Sequence, residues 1–209
     1  REEFERLIKG NPLNEAAAKI NTIQIATGRL AESRVFSDLA FEPNLLRLAQ
    51  YYWGKPVVLN GSGGTRLEPF ETSDYGSYQW HHDGKRKQVR VLILLTDVPA
   101  DGQRTEVVSG THRCWYEDIS TSRLSREQAS SAGPVVDCAA PAGSVVIFDT
   151  NAMHRGNRNS GPRRDTWNFA YRAPNALTTQ LAVRPPLNPN IIGELTPEQR
   201  LIARLDEAN

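Results

Sequence analysis

The chain has 209 residues, enough for one domain with a sizeable core, and its 25 Lys plus Arg nearly cancel its 24 Asp plus Glu. That balance, with no basic stripe interleaved with aromatics, excludes a generic nucleic-acid binder, and no apolar run reaches the length of a membrane span. No signal-peptide pattern opens the chain, and Cys114 and Cys138 form neither a disulfide framework nor a metal-site spacing, so a reducing, cytoplasmic setting is expected.

The chain opens on Arg1 rather than Met, as a trimmed or partial version of something longer would. Glu2 to Ile8 and Asn14 to Ala26 carry apolar residues at helical spacing, with Ala16-Ala17-Ala18 a strong helix former. Pro43 to Trp53 is a further amphipathic helix, with Leu45, Leu46, Leu48 and Ala49 inside and Gly54 and Pro56 ending it. From Val57 the character changes. Short β-branched and aromatic runs follow at Val57–Asn60, Ser77–Asp83, Val89–Thr96 and Thr105–Ser109. They continue at Val135–Ala139, Gly143–Asp149 and Thr166–Arg172, separated by Gly, Pro, Asn and Asp clusters. Gly61-Ser62-Gly63-Gly64 reads as a loop rather than a phosphate cradle, since no helix start follows it. Thr196-Pro197-Glu198-Gln199 is a helix entry, with Thr at the cap and Gln three beyond it, opening a terminal helix through Leu205. A helical opening followed by many short strands predicts a mainly β fold, a sandwich or barrel with helices packed outside. One domain over 1–209 is expected: helical support over 1–56, a β core over 57–175 and a C-terminal extension over 176–209.

The chemistry concentrates in His81-His82-Asp83. On a strand over 77–83, His81 and Asp83 share one face and His82 takes the other. Two imidazoles and one carboxylate on one side of a metal hold non-heme Fe(II) and leave positions open for co-substrate and O2. The bland alternative is a half-buried His before an Asp-Gly turn. Two histidines compete for the third ligand. His154 follows Val145-Val146-Ile147-Phe148, the strongest buried-strand candidate, and a short loop, and ranks first. His112, in Ser109-Gly110-Thr111-His112-Arg113, ranks second as a loop that anchors strand ends.

Five separated motifs then agree in order and spacing. They are Gln79-Trp80-His81-His82-Asp83-Gly84, the strand Val91–Val98, Gly102–Arg113, Pro141–Asp149, and Met153-His154-Arg155-Gly156. Together, from about residue 77 to 173, the chain resembles the phytanoyl-CoA dioxygenase-like family of Fe(II)/2-oxoglutarate-dependent oxygenases. The resemblance implies a double-stranded β-helix, a cupin-like jelly-roll, with flanking N-terminal helices, a C-terminal helix and the metal site at one open end. It further implies His81, Asp83 and His154 as iron ligands, and Fe(II), 2-oxoglutarate and O2 as the reacting partners. The implied reaction oxidises an unactivated C–H bond of a small-molecule metabolite or natural product, most simply by hydroxylation, with release of succinate and CO2. Related halogenases replace the carboxylate by Gly or Ala, so Asp83 argues for oxygenation.

A two-carboxylate co-substrate needs a fixed cation, and the planar guanidinium of Arg suits it. The family places that Arg on the strand after the distal His, often with Ser or Thr two residues on. Arg164 and Thr166 repeat the pattern and are preferred; Arg163 is the one-residue register alternative. Where some members carry a Ser two after the distal His this chain has Gly156, so Gln79, in phase with His81, or Thr105 is expected to replace that donor. For the substrate, the candidate lining is the loop Thr65–Gly76, Trp115-Tyr116, and Lys85-Arg86-Lys87, the last reading first as a solvated charge run. Two other readings stand beside the oxygenase: a cupin-type metalloenzyme that does not use 2-oxoglutarate, and a metal-free ligand-binding jelly-roll.

Overall fold

The computed structural model describes residues 1–11, 19–71, 76–83, 87–113, 123–124, 126–174 and 184–205, with 123, 124 and 126 in backbone alone. Helices come first: α1 (Glu2–Lys9), then, after the strand β1 (Thr22–Ile25), α2 (Arg34–Leu39) and α3 (Pro43–Trp53). α3 has the bounds read from sequence for concrete reasons. Glu42 accepts from the N–H of Leu45 at its start, Pro43 supplies a preset first turn, and Gly54 ends it in the left-handed region at φ 67°.

Among the described residues nine strands follow: β2 (Val58–Leu67), β3 (Trp80–His81), β4 (Val89–Leu94), β5 (Thr105–Val108), β6 (Arg123–Leu124), β7 (Val135–Asp137), β8 (Val145–Asp149), β9 (His154–Gly156) and β10 (Arg164–Arg172). They build two five-stranded antiparallel sheets, ordered β1-β2-β10-β4-β8 and β6-β3-β9-β5-β7. This is the expected jelly-roll, a mainly β fold braced by helices.

The alternation along β10 organises the molecule. Trp167, Phe169 and Tyr171 point outward and are fully buried in one cluster with Phe4, Phe36 and Leu45 from the helices. The Trp167 ring stacks on Phe36 at a centroid distance of 3.7 Å, its Nε1–H donates to Ser62 Oγ, and the Tyr171 hydroxyl donates to the Ala40 carbonyl. Burying each such ring stabilises the fold by roughly 1.5–3 kcal/mol, so the helix-facing side of the first sheet carries most of the core. Arg66 and Asp165, cross-strand partners on that side, form a buried two-point ion pair at 2.8 and 2.7 Å. A second bond, from Arg66 to Glu5, ties α1 to the sheet.

Several sequence expectations change. Of the helix expected over Asn14–Ala26, residues 12–18 lie outside the described residues, and Thr22–Ile25 is a strand paired with β2, so the sheet starts before residue 57. Gly61–Gly64 is not a loop but the middle of β2, where pairing with β10, and with β1 at Gly64, overrides the glycines' local preference. Val145–Phe148, read as buried, is an edge strand with Val145 42% and Ile147 36% exposed. The terminal helix starts at Pro197 with the full capping box and ends at Ile202, short of Leu205.

Candidate metal centre

β3 and β9 lie side by side in the second sheet, with His81 directly opposite His154 and their rings 4.3 Å apart. Each ring is oriented in the same way. Nδ1 of His81 meets the carbonyl of Gln79, and Nδ1 of His154 the carbonyl of Ala152, both at 2.8 Å. A carbonyl can only accept, so Nδ1 carries the hydrogen and each Nε2 offers its lone pair. Asp83 Oδ1 lies 3.4 Å from Nε2 of His81 and 3.7 Å from Nε2 of His154. One donor atom from each of the three residues falls within 4.8 Å of the other two. Two imidazole nitrogens and one carboxylate oxygen form the donor set that suits ferrous iron with positions left open.

The route to this geometry differs from the expected one. β3 is only two residues long, preceded by a tight turn over Gly76–Tyr78. Asp83 therefore arrives by a turn rather than by strand alternation, with its N–H held by the Thr150 carbonyl. For the same reason the alternation does not reach back to Gln79. Its side chain is not on the cavity wall, and its backbone carbonyl orients His81 instead. His82 is buried away from the cavity, and His112 packs beside Tyr52 in a different hollow.

Burial favours neutral imidazole and pulls His154 down to about 4, a shift only partly offset by Asp83. A metal ligand must be neutral, so this His is ready at pH 7. Burial works against the Asp83 charge, but the neighbouring His81 and the positive charge of Arg90 outweigh it, holding the carboxyl well below its usual range. Arg90, on β4, donates to Asp83 Oδ2 at 2.9 Å and so fixes the carboxylate. Sequence reasoning missed this residue. Its signal was a lone cation in the apolar run Val89–Leu94.

The three side chains line one end of a cavity of about 290 Å3 between the sheets, which also takes in Thr105, Arg164 and Thr166. Arg164 is buried, donates to Thr105 Oγ1 at 3.2 Å, and has an Nε with no partner among the described residues. Burial drags its pKa down to about 10, which leaves it charged at neutral pH. Arg163 points elsewhere, 3.7 Å from Glu5 and 3.6 Å from Asp165. Gly156 faces Tyr78: a Cβ there would sit 3.1 Å from the Tyr78 ring, so the phenol occupies the space a serine would need. Of the expected substrate lining, Thr65 reaches the cavity from the end of β2, while residues 72–75, 84–86 and Trp115-Tyr116 lie outside the described residues. Lys87 folds back over the Tyr52 ring and donates to the Tyr52 carbonyl.

Comparison with known proteins agrees with this architecture. The chain is 28% identical over 160 residues to an ectoine dioxygenase of Stutzerimonas stutzeri (strain A1501), a match covering 63% of this chain and 52% of that protein. It thus spans about half the length of that relative. Among solved structures it is similar to HygX from Streptomyces hygroscopicus with nickel, 2-oxoglutarate and hygromycin B bound (TM-score 0.59, 21% identity, 90% of this chain and 85% of the other). It is also similar to the epimerase SnoN in complex with Fe3+, alpha ketoglutarate and nogalamycin RO (0.62, 19%, 88% and 78%) and to EctD from S. alaskensis in its apoform (0.64, 19%, 89% and 70%). At these identities the structural likeness establishes the fold. The phytanoyl-CoA dioxygenase (PhyH) family matches residues 2–165, most of the chain, and the chain belongs to that family.

Proposed function

We propose that the protein is an Fe(II)- and 2-oxoglutarate-dependent dioxygenase that hydroxylates a small-molecule substrate, with His81, Asp83 and His154 holding the iron. One observation carries the reading: two Nε2 lone pairs and a carboxylate oxygen converge in a cavity that also contains a buried guanidinium with an unused N–H. HygX and SnoN, which bind a metal together with 2-oxoglutarate or alpha ketoglutarate on the same fold, support it. Bound there, iron and 2-oxoglutarate would supply the oxidising power drawn from O2, with succinate and CO2 released.

The chain's own residues set the conditions. Arg164 offers the far carboxylate a buried, charged partner, and such a bond is stronger there than at the surface. Thr105 fixes the guanidinium and Thr166 adds a hydroxyl beside it. Asp83 partly neutralises the metal, and Arg90 keeps that carboxylate in place. A ferrous centre and the free thiol of Cys138 both suit the reducing cytoplasm expected from sequence. No helix among the described residues is long and apolar enough to cross a membrane.

The test is anaerobic addition of Fe(II) and then 2-oxoglutarate to the purified chain, followed by visible spectroscopy. The weak charge-transfer band of the chelate is expected, with succinate formed once O2 is admitted. Stoichiometric iron binding without the band or succinate would point to a metalloenzyme of another kind, and absence of iron binding to a ligand-binding jelly-roll.

A further inference from the structure

The metal cavity does not end at its own walls. At Gln24, Thr65, Arg90 and Asn168 it opens into a second hollow of about 630 Å3, along the inward face of the first sheet. That volume lies in the range of small-molecule sites, roughly 300–1,000 Å3.

Its floor is β2, and the glycines there differ in what they do. A Cβ at Gly63 would stand 2.8 Å from the Ile25 carbonyl, and one at Gly64 2.7–2.9 Å from Phe4, Ile25 and Trp167. Those two are required by packing. Gly61 is not: among the described residues its Cβ would meet only the Ala170 Cβ, at an ordinary 3.7 Å. A strand glycine weakens the strand by roughly 0.5–1 kcal/mol relative to Ala, and no packing contact among the described residues explains this one. It pairs with Ala170, another small residue, so the two leave a bare stretch of floor beside Arg90, the cross-strand partner of Ala170. One residue away the register slips, with Ala170 opposite Gly61 but Tyr171 opposite Leu59, which makes Asn60 a bulge. Bulges re-aim side chains next to binding sites. The Asn60 Oδ1 is buried and accepts no hydrogen bond from the described residues.

The lining chemistry narrows the ligand. Besides Asn60, the side chains of Gln24 and Thr65 have no hydrogen-bond partner among the described residues, and the Asn168 amide is held in place by the Gly63 carbonyl. Arg90 is neutralised by Asp83, and no described lining residue is a carboxylate, a lysine or an aromatic. An acyl chain would bury these amides unsatisfied, at about 1–3 kcal/mol each. Among the described residues an anionic ligand would find no free cation, and a cationic one neither a carboxylate nor a ring face. A hydroxyl both donates and accepts, which is what amide and threonine groups need in return.

Resting on the dioxygenase reading above, we propose that this hollow is the substrate subsite and takes an uncharged, hydroxyl-rich ring, a sugar or cyclic polyol laid flat on Gly61. Saturation-transfer NMR on the chain loaded with Zn(II) and 2-oxoglutarate tests this with methyl α-glucoside, maltotriose and myo-inositol as probes, and with ectoine and octanoyl-CoA as contrasts. Transfer to at least one hydroxyl-rich probe is expected, lowered at least tenfold in Gly61→Leu, which fills the floor. Gln24→Leu, at an exposed position, should lower it too, and covers the case in which the Gly61 variant fails to fold. The iron–2-oxoglutarate band of both variants should match wild type. Transfer to none of the three probes, or transfer unaffected by either variant, overturns the proposal, as does stronger Gly61-dependent transfer to octanoyl-CoA or ectoine. A missing chelate band in wild type defeats the dioxygenase reading instead, and is measured separately.

Discussion

Arg163 and Arg164 are adjacent in sequence and opposite in environment: one joins Glu5 and Asp165 on the helix side, the other is buried in the cavity with an unused N–H. Replacing Arg164 by Ala should therefore raise the 2-oxoglutarate Kd by roughly 10- to 100-fold, as expected for losing a charge-assisted bond of about 1.5–3 kcal/mol. Iron binding should stay near wild type. Arg163→Ala should leave the 2-oxoglutarate Kd unchanged, and titration of the chelate band reads both. His154 gives a second expectation, for the metal-free chain. Burial puts its folded pKa near 4, below the ordinary 6.5 of an unfolded chain. The unfolded state thus takes up a proton first, and stability falls as pH drops from about 6.5 to about 4, by at most about 3 kcal/mol. Urea midpoints measured at pH 7 and pH 4.5 should show that loss, and His154→Gln should remove most of it; equal midpoints in wild type would contradict it. At this scale the sequence was informative because ligand chemistry is written in residue type. The clustered His81, Asp83 and His154, and Arg164, Thr105 and Thr166 on the same cavity wall, could all be named as candidates from spacing and resemblance. Gln79 does not share the face of His81 because a tight turn over Gly76–Tyr78, invisible in the pattern, delays the strand to Trp80.

Among the elements, β2 and β10 carry the most information about how local signals fail. Thr166–Phe169 alternates polar and apolar residues, but Gly61–Gly64 reads as a breaker until its pairing with β10 is known. Thr22–Ile25 was lost for the same reason: four residues after an alanine-rich run carry too little signal to be recognised as a sheet edge. Val145–Phe148 was misjudged in the other direction, since an apolar run announces a strand but not whether a neighbour covers it. The ion pair across β2 and β10 permits a quantitative test. Arg66→Ala would leave the fully buried Asp165 without its two-point partner and free Glu5 on α1. We expect a loss of roughly 3–5 kcal/mol in unfolding free energy, read from denaturant midpoints. Arg66→Met, which keeps bulk but not charge, should not restore it, because the carboxylate stays buried.

For the molecule as a whole, the two faces of the first sheet have separate tasks. The apolar core joins its outer face to the helices, and its inner side lines the cavity that holds the candidate metal site. Chelating iron should therefore leave the secondary structure intact, with an unchanged far-ultraviolet circular dichroism spectrum. It should remove only the stabilisation that ligation adds, about 2.7 kcal/mol at a hundredfold excess of metal over its Kd. A melting curve with and without chelator measures this, and unfolding on metal removal would contradict it.

The small pair formed by Gly61 and Ala170 has a consequence for how this scaffold can diversify. Neither residue touches the aromatic cluster that keeps the chain folded, and a methyl group fits at position 61 without displacing a neighbour. Exchanges among small residues at those two sites should alter selectivity and leave the melting temperature near the parent's. The same freedom is closed at Gly64, where any added carbon meets Phe4 and Trp167.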